Sequence, residues 1–218
     1  AKNLVSGDTN GKSDVFLFNT QTGDTWRISV GKPQGKYEQA TGGNSRVPAI
    51  SADARYITYE SDANNLVSSD TNDKTDVFLF STQTGDTWRI SVGKPQGRYE
   101  QANGMSSSPT INSDGRYIAY YSHANNLVSD DTEGHADVFI FSTQTGDTYR
   151  INLGRQGQEY VQADKGSFSP AISADASHIA YWSYATNLVS NDINDATDVF
   201  LFNTQTGLTS LTSASSPF

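Results

Sequence analysis

The sequence contains no cysteine. That excludes a disulfide framework and any thiol site. No stretch approaches the ~20 apolar residues that a membrane-spanning helix needs. No basic segment followed by an apolar core opens the chain, so no signal peptide is visible, although a processed secreted chain looks the same. Cationic residues are scarce: 15 Lys and Arg stand against 24 Asp and Glu, for a net charge of −9. A nucleic-acid binder is expected to carry a basic face, so that class is set aside. Metal cations and neutral ligands fit this balance better.

What is present is a repeat. Asn-Leu-Val begins at Asn3, Asn65, Asn126 and Asn187, at spacings of 62, 61 and 61 residues. DVFLFNTQTG from Asp14 returns in near-identical form from Asp76, Asp137 and Asp198. PAISADARYITYES from Pro48 returns from Pro109 and Pro170. A fixed period of this length is the mark of a repeat architecture.

Each copy predicts four short strands. The first is Pro48 to Ser51, followed by a turn at Ala52-Asp53-Ala54 that reads Ser113-Asp114-Gly115 in the next copy. The second is Arg55 to Glu60, rich in aromatic and β-branched residues. The third, Val15 to Phe18, is apolar at successive positions, which predicts cover on both faces. The fourth is Thr25 to Val30, with Trp26, Ile28 and Val30 on one face and Thr25, Arg27 and Ser29 on the other. Four antiparallel strands per copy without helices predict an all-β fold, a β-propeller of four-stranded antiparallel blades. Residues 1–30 form a half-blade, and full blades fall at about 46–92, 107–153 and 168–212. A β-solenoid fits less well, because its coils are usually shorter and lack two hairpin turns per repeat.

These motifs resemble the TolB-type, WD-like β-propeller repeat. Ser108 to Ser122, Asn126 to Phe139 and Gln144 to Ile151 carry the match in one continuous copy, and the recurrence extends it over nearly the whole chain. The resemblance implies a propeller in a bacterial protein that is secreted, on the cell surface or periplasmic. It leaves activity open, because such blades occur in interaction modules, sugar-binding proteins and enzymes. The family usually closes six to eight blades in one chain. This sequence enters just before a third strand and ends at the start of a first. Its phase is compatible with part of a longer propeller, a ring shared with a second copy as a homo-oligomer, or a small ring with a two-stranded blade.

The most chemical feature is an acidic loop before each third strand. Its candidate ligands are Asp8, Asn10 and Asp14; Asp70, Asn72 and Asp76; Asp131, Glu133 and Asp137; and Asp192, Asn194 and Asp198. Calcium wants six to eight oxygens, and short acidic loops supply them from alternating side chains and carbonyls. Structural calcium is one reading. A metal-free Asx turn, in which the same side chains cap backbone N–H groups, is the other.

A second repeated set lies in the connection between blades. Tyr37, Glu38 and Gln39, Tyr99, Glu100 and Gln101, and Tyr160 with Gln162 combine an aromatic ring with acid and amide groups, the chemistry of a shallow sugar site. Their other reading is a fastener between blades. Trp26, Trp88 and Tyr149 share a face with Ile28, Ile90 and Ile151, which predicts packing between blades. The histidines His123, His135 and His178 do not recur, and His178 replaces Tyr56 and Tyr117 as a packing variant.

Near-identical blades favour a non-catalytic binding or interaction propeller, with a glycan or protein partner. An active site normally needs unique residues at one place. A surface-assembly scaffold and a polysaccharide lyase or hydrolase are the alternatives.

Overall fold

The computed structural model describes residues 3–32, 35–94 and 97–213. Among the described residues every regular element is a strand. β1 (Phe16–Phe18) and β2 (Thr25–Arg27) form a two-stranded sheet. Three four-stranded antiparallel sheets follow. They are β5 (Ser45–Ile50), β6 (Tyr56–Ser61), β7 (Asp76–Ser81) and β8 (Thr87–Arg89); β11 (Ser106–Ile111), β12 (Tyr117–Ser122), β13 (Asp137–Ser142) and β14 (Thr148–Arg150); and β17 (Ser167–Ile172), β18 (His178–Ser183), β19 (Asp198–Asn203) and β20 (Leu208–Leu211).

The expectation of cover on both faces holds for the third strands of the two inner sheets, which are sandwiched. It does not hold for the first and last copies, where Phe18 is 58% and Val199 43% exposed because each lacks a neighbouring sheet on one side among the described residues. β7 and β13 are buried at all six positions. Tyr59 stacks on Phe78, Tyr120 on Phe139 and Tyr181 on Phe200, each pair at 5.9 Å. Burying one such ring contributes ~1.5–3 kcal/mol, so these pairs anchor the blades. Three apolar clusters each join neighbouring sheets. Among the described residues, no cluster joins the last sheet to the first.

The predicted fourth strand is shorter than expected. It stops at Arg27, and the chain opens a small hairpin of β3 (Val30–Gly31) and β4 (Glu38–Gln39). The counterparts are β9 (Val92–Gly93) with β10 (Glu100–Gln101), and β15 (Leu153–Gln156) with β16 (Glu159–Gln162). Asn-Leu-Val explains why these hairpins recur. Asn65 Nδ2 donates to the Gln39 carbonyl at 2.9 Å, and Leu66 keeps 1% of its surface. Gly31 lies flat against the Leu66 backbone, where a Cβ would collide. Asn126 and Gly93 repeat the arrangement.

First strands of adjacent sheets lie side by side, β5 against β11 and β11 against β17. Each carries a bulge, between Arg46 and Ala49, Ser107 and Thr110, or Phe168 and Ala171. Val47, Ser108 and Ser169 sit in it at φ of 51°, 52° and 49°.

Candidate functional site

The acidic loops are internally wired. Asn10 Oδ1 accepts the Lys12 N–H at 2.9 Å, and Asn10 Nδ2 donates to Asp14 at 3.0 Å and to the Ala40 carbonyl at 2.8 Å. Asn72 does the same for Lys74, Asp76 and Ala102. These are Asx turns tied to the next connection. Asp14 also accepts from Ser29, and Asp76 from Ser91.

The cation among these carboxylates is a guanidinium from the fourth strand. Arg27 Nη1 lies 3.6 Å from Asp8. Arg89 Nη1 lies 3.3 Å from Asp70 and 3.8 Å from Asp76. Arg150 reaches Asp130, Asp131 and Asp137 at 3.1, 3.5 and 3.4 Å. Burial still dominates: it pushes the Asp76 carboxyl up to about 6, against the hydrogen bonds of Ser91 and Asn72 and the charge of Arg89. Asp131 rises to about 6 through burial and the nearby charge of Asp137. The sequence places Arg27 on the polar face of a strand but gives no sign that it turns into the loop. Glu133 and His135 are exposed, and Asn194 makes the Asx turn to Ala196 at 2.9 Å.

Gln39 belongs to this wiring too. Its Oε1 accepts from Arg27 at 2.9 Å, and its Nε2 donates to Thr9 at 2.6 Å. Gln101 bonds Thr71, and Gln162 bonds Thr132 and Arg150. Glu38 and Glu100 lie between, exposed on the opposite face.

The tyrosines reach the neighbouring blade. Tyr37 donates to Thr84 O, and Lys32 Nζ sits 4.1 Å above its ring while bonding Asp86 at 3.0 Å. Lys94, Tyr99 and Asp147 repeat this at 4.2 and 2.9 Å. In the third connection Arg155 takes the lysine's place over Tyr160, at 5.2 Å, and Leu208 replaces the acid.

One expectation is corrected. Trp26, Trp88 and Tyr149 do not bury their rings between blades; they are 46%, 43% and 55% exposed. The fourth strand ends one residue later, so only Ile28, Ile90 and Ile151 reach the core. The exposed tryptophans instead share clefts with the tyrosines. Trp26, Val30, Tyr37 and Phe80 line one cleft between sheets; Trp88, Val92, Tyr99 and Phe141 line the next. An adjoining recess brings Trp88, Arg89, Tyr99, Glu100 and Gln101 together.

A second surface escapes a reading based on what repeats, because it consists of what does not. Buried Ser45 and Ser61 bond each other at 2.9 Å, as do Ser106 with Ser122 and Ser167 with Ser183. The residues flanking those serines change chemistry from blade to blade. They are Arg46, Glu60 and Asp62; Ser107, Tyr121 and His123; and Phe168, Trp182 and Tyr184. The sets touch. Ser107 donates to Glu60, and Tyr121 meets Phe168 edge-on at 5.3 Å. Phe168 stacks on Trp182 at 4.5 Å, and Tyr184 stands perpendicular to Trp182. Aligning the copies for disagreement rather than agreement would have found this face. His178 bonds Ser177 and Asn203 away from it.

No protein-family model matches the sequence, and no curated protein matches it. Solved structures do match. TolB from Acinetobacter baumannii is 14% identical with a TM-score of 0.51, over 91% of this chain and 37% of that one. A TolB structure from Agrobacterium tumefaciens is 16% identical with a TM-score of 0.55, over 92% of this chain and 56% of the other. The fold is a TolB-like β-propeller. The chain spans between about a third and just over half the length of those two TolB proteins. A puromycin-hydrolysing peptidase of Mycobacterium tuberculosis shares the TolB-like fold at 12% identity, TM-score 0.51, over 91% of this chain and 24% of that one. The match covers about a quarter of that peptidase, so the likeness shows the fold alone, and function must be argued from sites.

Proposed function

We propose that this chain is a non-catalytic binding module of a secreted, cell-surface or periplasmic protein, and that its ligand is a glycan held in the Trp/Tyr clefts. One observation carries the reading. The same cleft is built twice, from Trp26 with Tyr37 and from Trp88 with Tyr99, and all four rings are about half exposed. Flat aromatic faces suit the C–H faces of a sugar ring, and Tyr and Trp pair an apolar body with a polar edge. Glu100, exposed beside the second pair, is placed to bond hydroxyls. Two equivalent weak sites raise avidity on a repeating polymer. Catalysis would call for unique convergent groups, and a duplicated cleft is the opposite arrangement.

Glycan-array binding followed by calorimetry tests this. Trp88→Ala is expected to weaken binding to a repeating glycan at least tenfold, and Trp26→Ala with Trp88→Ala to abolish it. Silence across the array would overturn the glycan reading. A protein partner is the second reading, and the non-repeating face of Arg46, His123 and Tyr184 favours it, since exposed aromatic and Arg side chains are typical contact anchors. His123→Ala with Tyr184→Ala is expected to leave glycan binding unchanged.

A further inference from the structure

The acidic loops differ in one respect. Arg27, Arg89 and Arg150 each stand thirteen residues after Asp14, Asp76 and Asp137. Thirteen residues after Asp198 stands Leu211. The fourth loop therefore keeps its carboxylates and lacks its guanidinium.

Burial makes the difference costly. Asp192 keeps 8% of its surface and Asp198 keeps 4%. Both carboxylate oxygens of Asp192, and Oδ2 of Asp198, are enclosed without a hydrogen-bond partner among the described residues. The other Asp198 oxygen accepts from Ser213, the counterpart of Ser29 and Ser91. Asp8 and Asp131 also have oxygens without hydrogen bonds, but each faces an arginine at 3.6 or 3.5 Å. Lys165 does not take that role. It bonds Asp195 at 2.8 Å on the exposed rim and acts on Asp192 only through its charge, without a contact. Asp198 faces Asp192 closely enough that its charge, after burial, helps raise the Asp192 carboxyl. Two buried like charges with no cation in direct contact among the described residues are unfavourable.

We infer that the fourth loop binds a hard divalent cation through Asp192 and Asp198, in the space that the other three loops fill with a guanidinium. The donors are all oxygen, which selects calcium or magnesium over softer metals. Among the described residues, no group of three or more His, Cys, Asp or Glu side chains is placed to hold an ion. Backbone carbonyls and water complete the shell, and the affinity falls at the weak end, with Kd on the order of 0.1–1 mM. The inference is independent of the glycan reading.

The test uses the intact chain, stripped with chelator and titrated with calcium or magnesium chloride by calorimetry and thermal melting. One ion per chain is expected, with a higher Tm. Leu211→Arg supplies the missing guanidinium. It is expected to raise the metal-free Tm and to weaken ion binding at least tenfold. Asp192→Asn, which keeps the side-chain shape, is expected to weaken binding equally and guards against a misfolded arginine variant. No heat and no Tm shift with either ion overturns the inference. So does undiminished binding in both variants. Four ions per chain would overturn the assignment to this loop alone.

Discussion

The Tyr37 hydroxyl donates to the backbone carbonyl of Thr84, 3.1 Å away in the turn of the next blade. This contact crosses from one repeat to the following one, so it holds blades together rather than shaping either. Gly85 makes room for it: it sits at φ +71°, and a Cβ there would strike the tyrosine oxygen. Gly85→Ala is expected to cost about 2–3 kcal/mol, combining the left-handed penalty with the collision. Gly23→Ala, at φ +78° with nothing within 4 Å, is the control and should cost only about 1 kcal/mol. Urea unfolding midpoints at constant m-value measure both.

Arg89→Leu converts the second acidic loop into the state of the fourth. It strands Asp70 and Asp76, which the guanidinium meets at 3.3 and 3.8 Å. The expected loss at neutral pH is about 3–5 kcal/mol, the range for breaking one side of a buried ion pair. Repeating the unfolding at pH 4 should shrink it, because protonated carboxyls no longer need the cation.

Stability should fall as pH rises through the weakly acidic range. Asp76 is raised from 3.8 to about 6, so the folded chain holds this proton more tightly than the unfolded one. Its contribution is complete below about pH 4 and is lost by about pH 6. Linkage puts the size at up to roughly 3 kcal/mol. Asp76→Asn removes the titration. Between pH 4 and pH 7 the native protein should lose stability relative to this variant; parallel pH profiles would contradict the assignment.

Val47 is β-branched and sits at φ 51° in the first-strand bulge. That region disfavours any Cβ and a branched one most. Val47→Gly relieves it, and because Val47 is 45% exposed little packing is lost. A gain of about 1 kcal/mol in thermal or urea unfolding is expected.

Strands, turns and blades were legible because they rest on local chemistry. DVFLF spells a strand that is covered on both faces where it has a sheet on each side, as in β7 and β13, and Gln-Thr-Gly closes a turn. The acidic loops were visible as charge, but their partner was not. Arg27 is thirteen residues from Asp14 and across a hairpin, and only the fold shows that it bends back toward Asp8. The loss of that arginine at Leu211 could have been read by aligning copies for exceptions. The small hairpin at Val30–Gly31 was hidden by its length of two residues. The shared cleft of Trp88 and Tyr99 lies past the end of a fourth strand whose length alternation alone overestimates by three residues.

The bulged first strand separates two jobs that most domains must do with the same residues. Ser45, Ser106 and Ser167 point inward and never vary, while Arg46, Ser107 and Phe168 beside them are chemically unrelated. The second position changes the face where neighbouring blades meet while the inner serine pair stays the same. Each blade thus behaves as one character of a legible alphabet, and a chain that duplicates blades lengthens the word it displays while inheriting a scaffold that already folds.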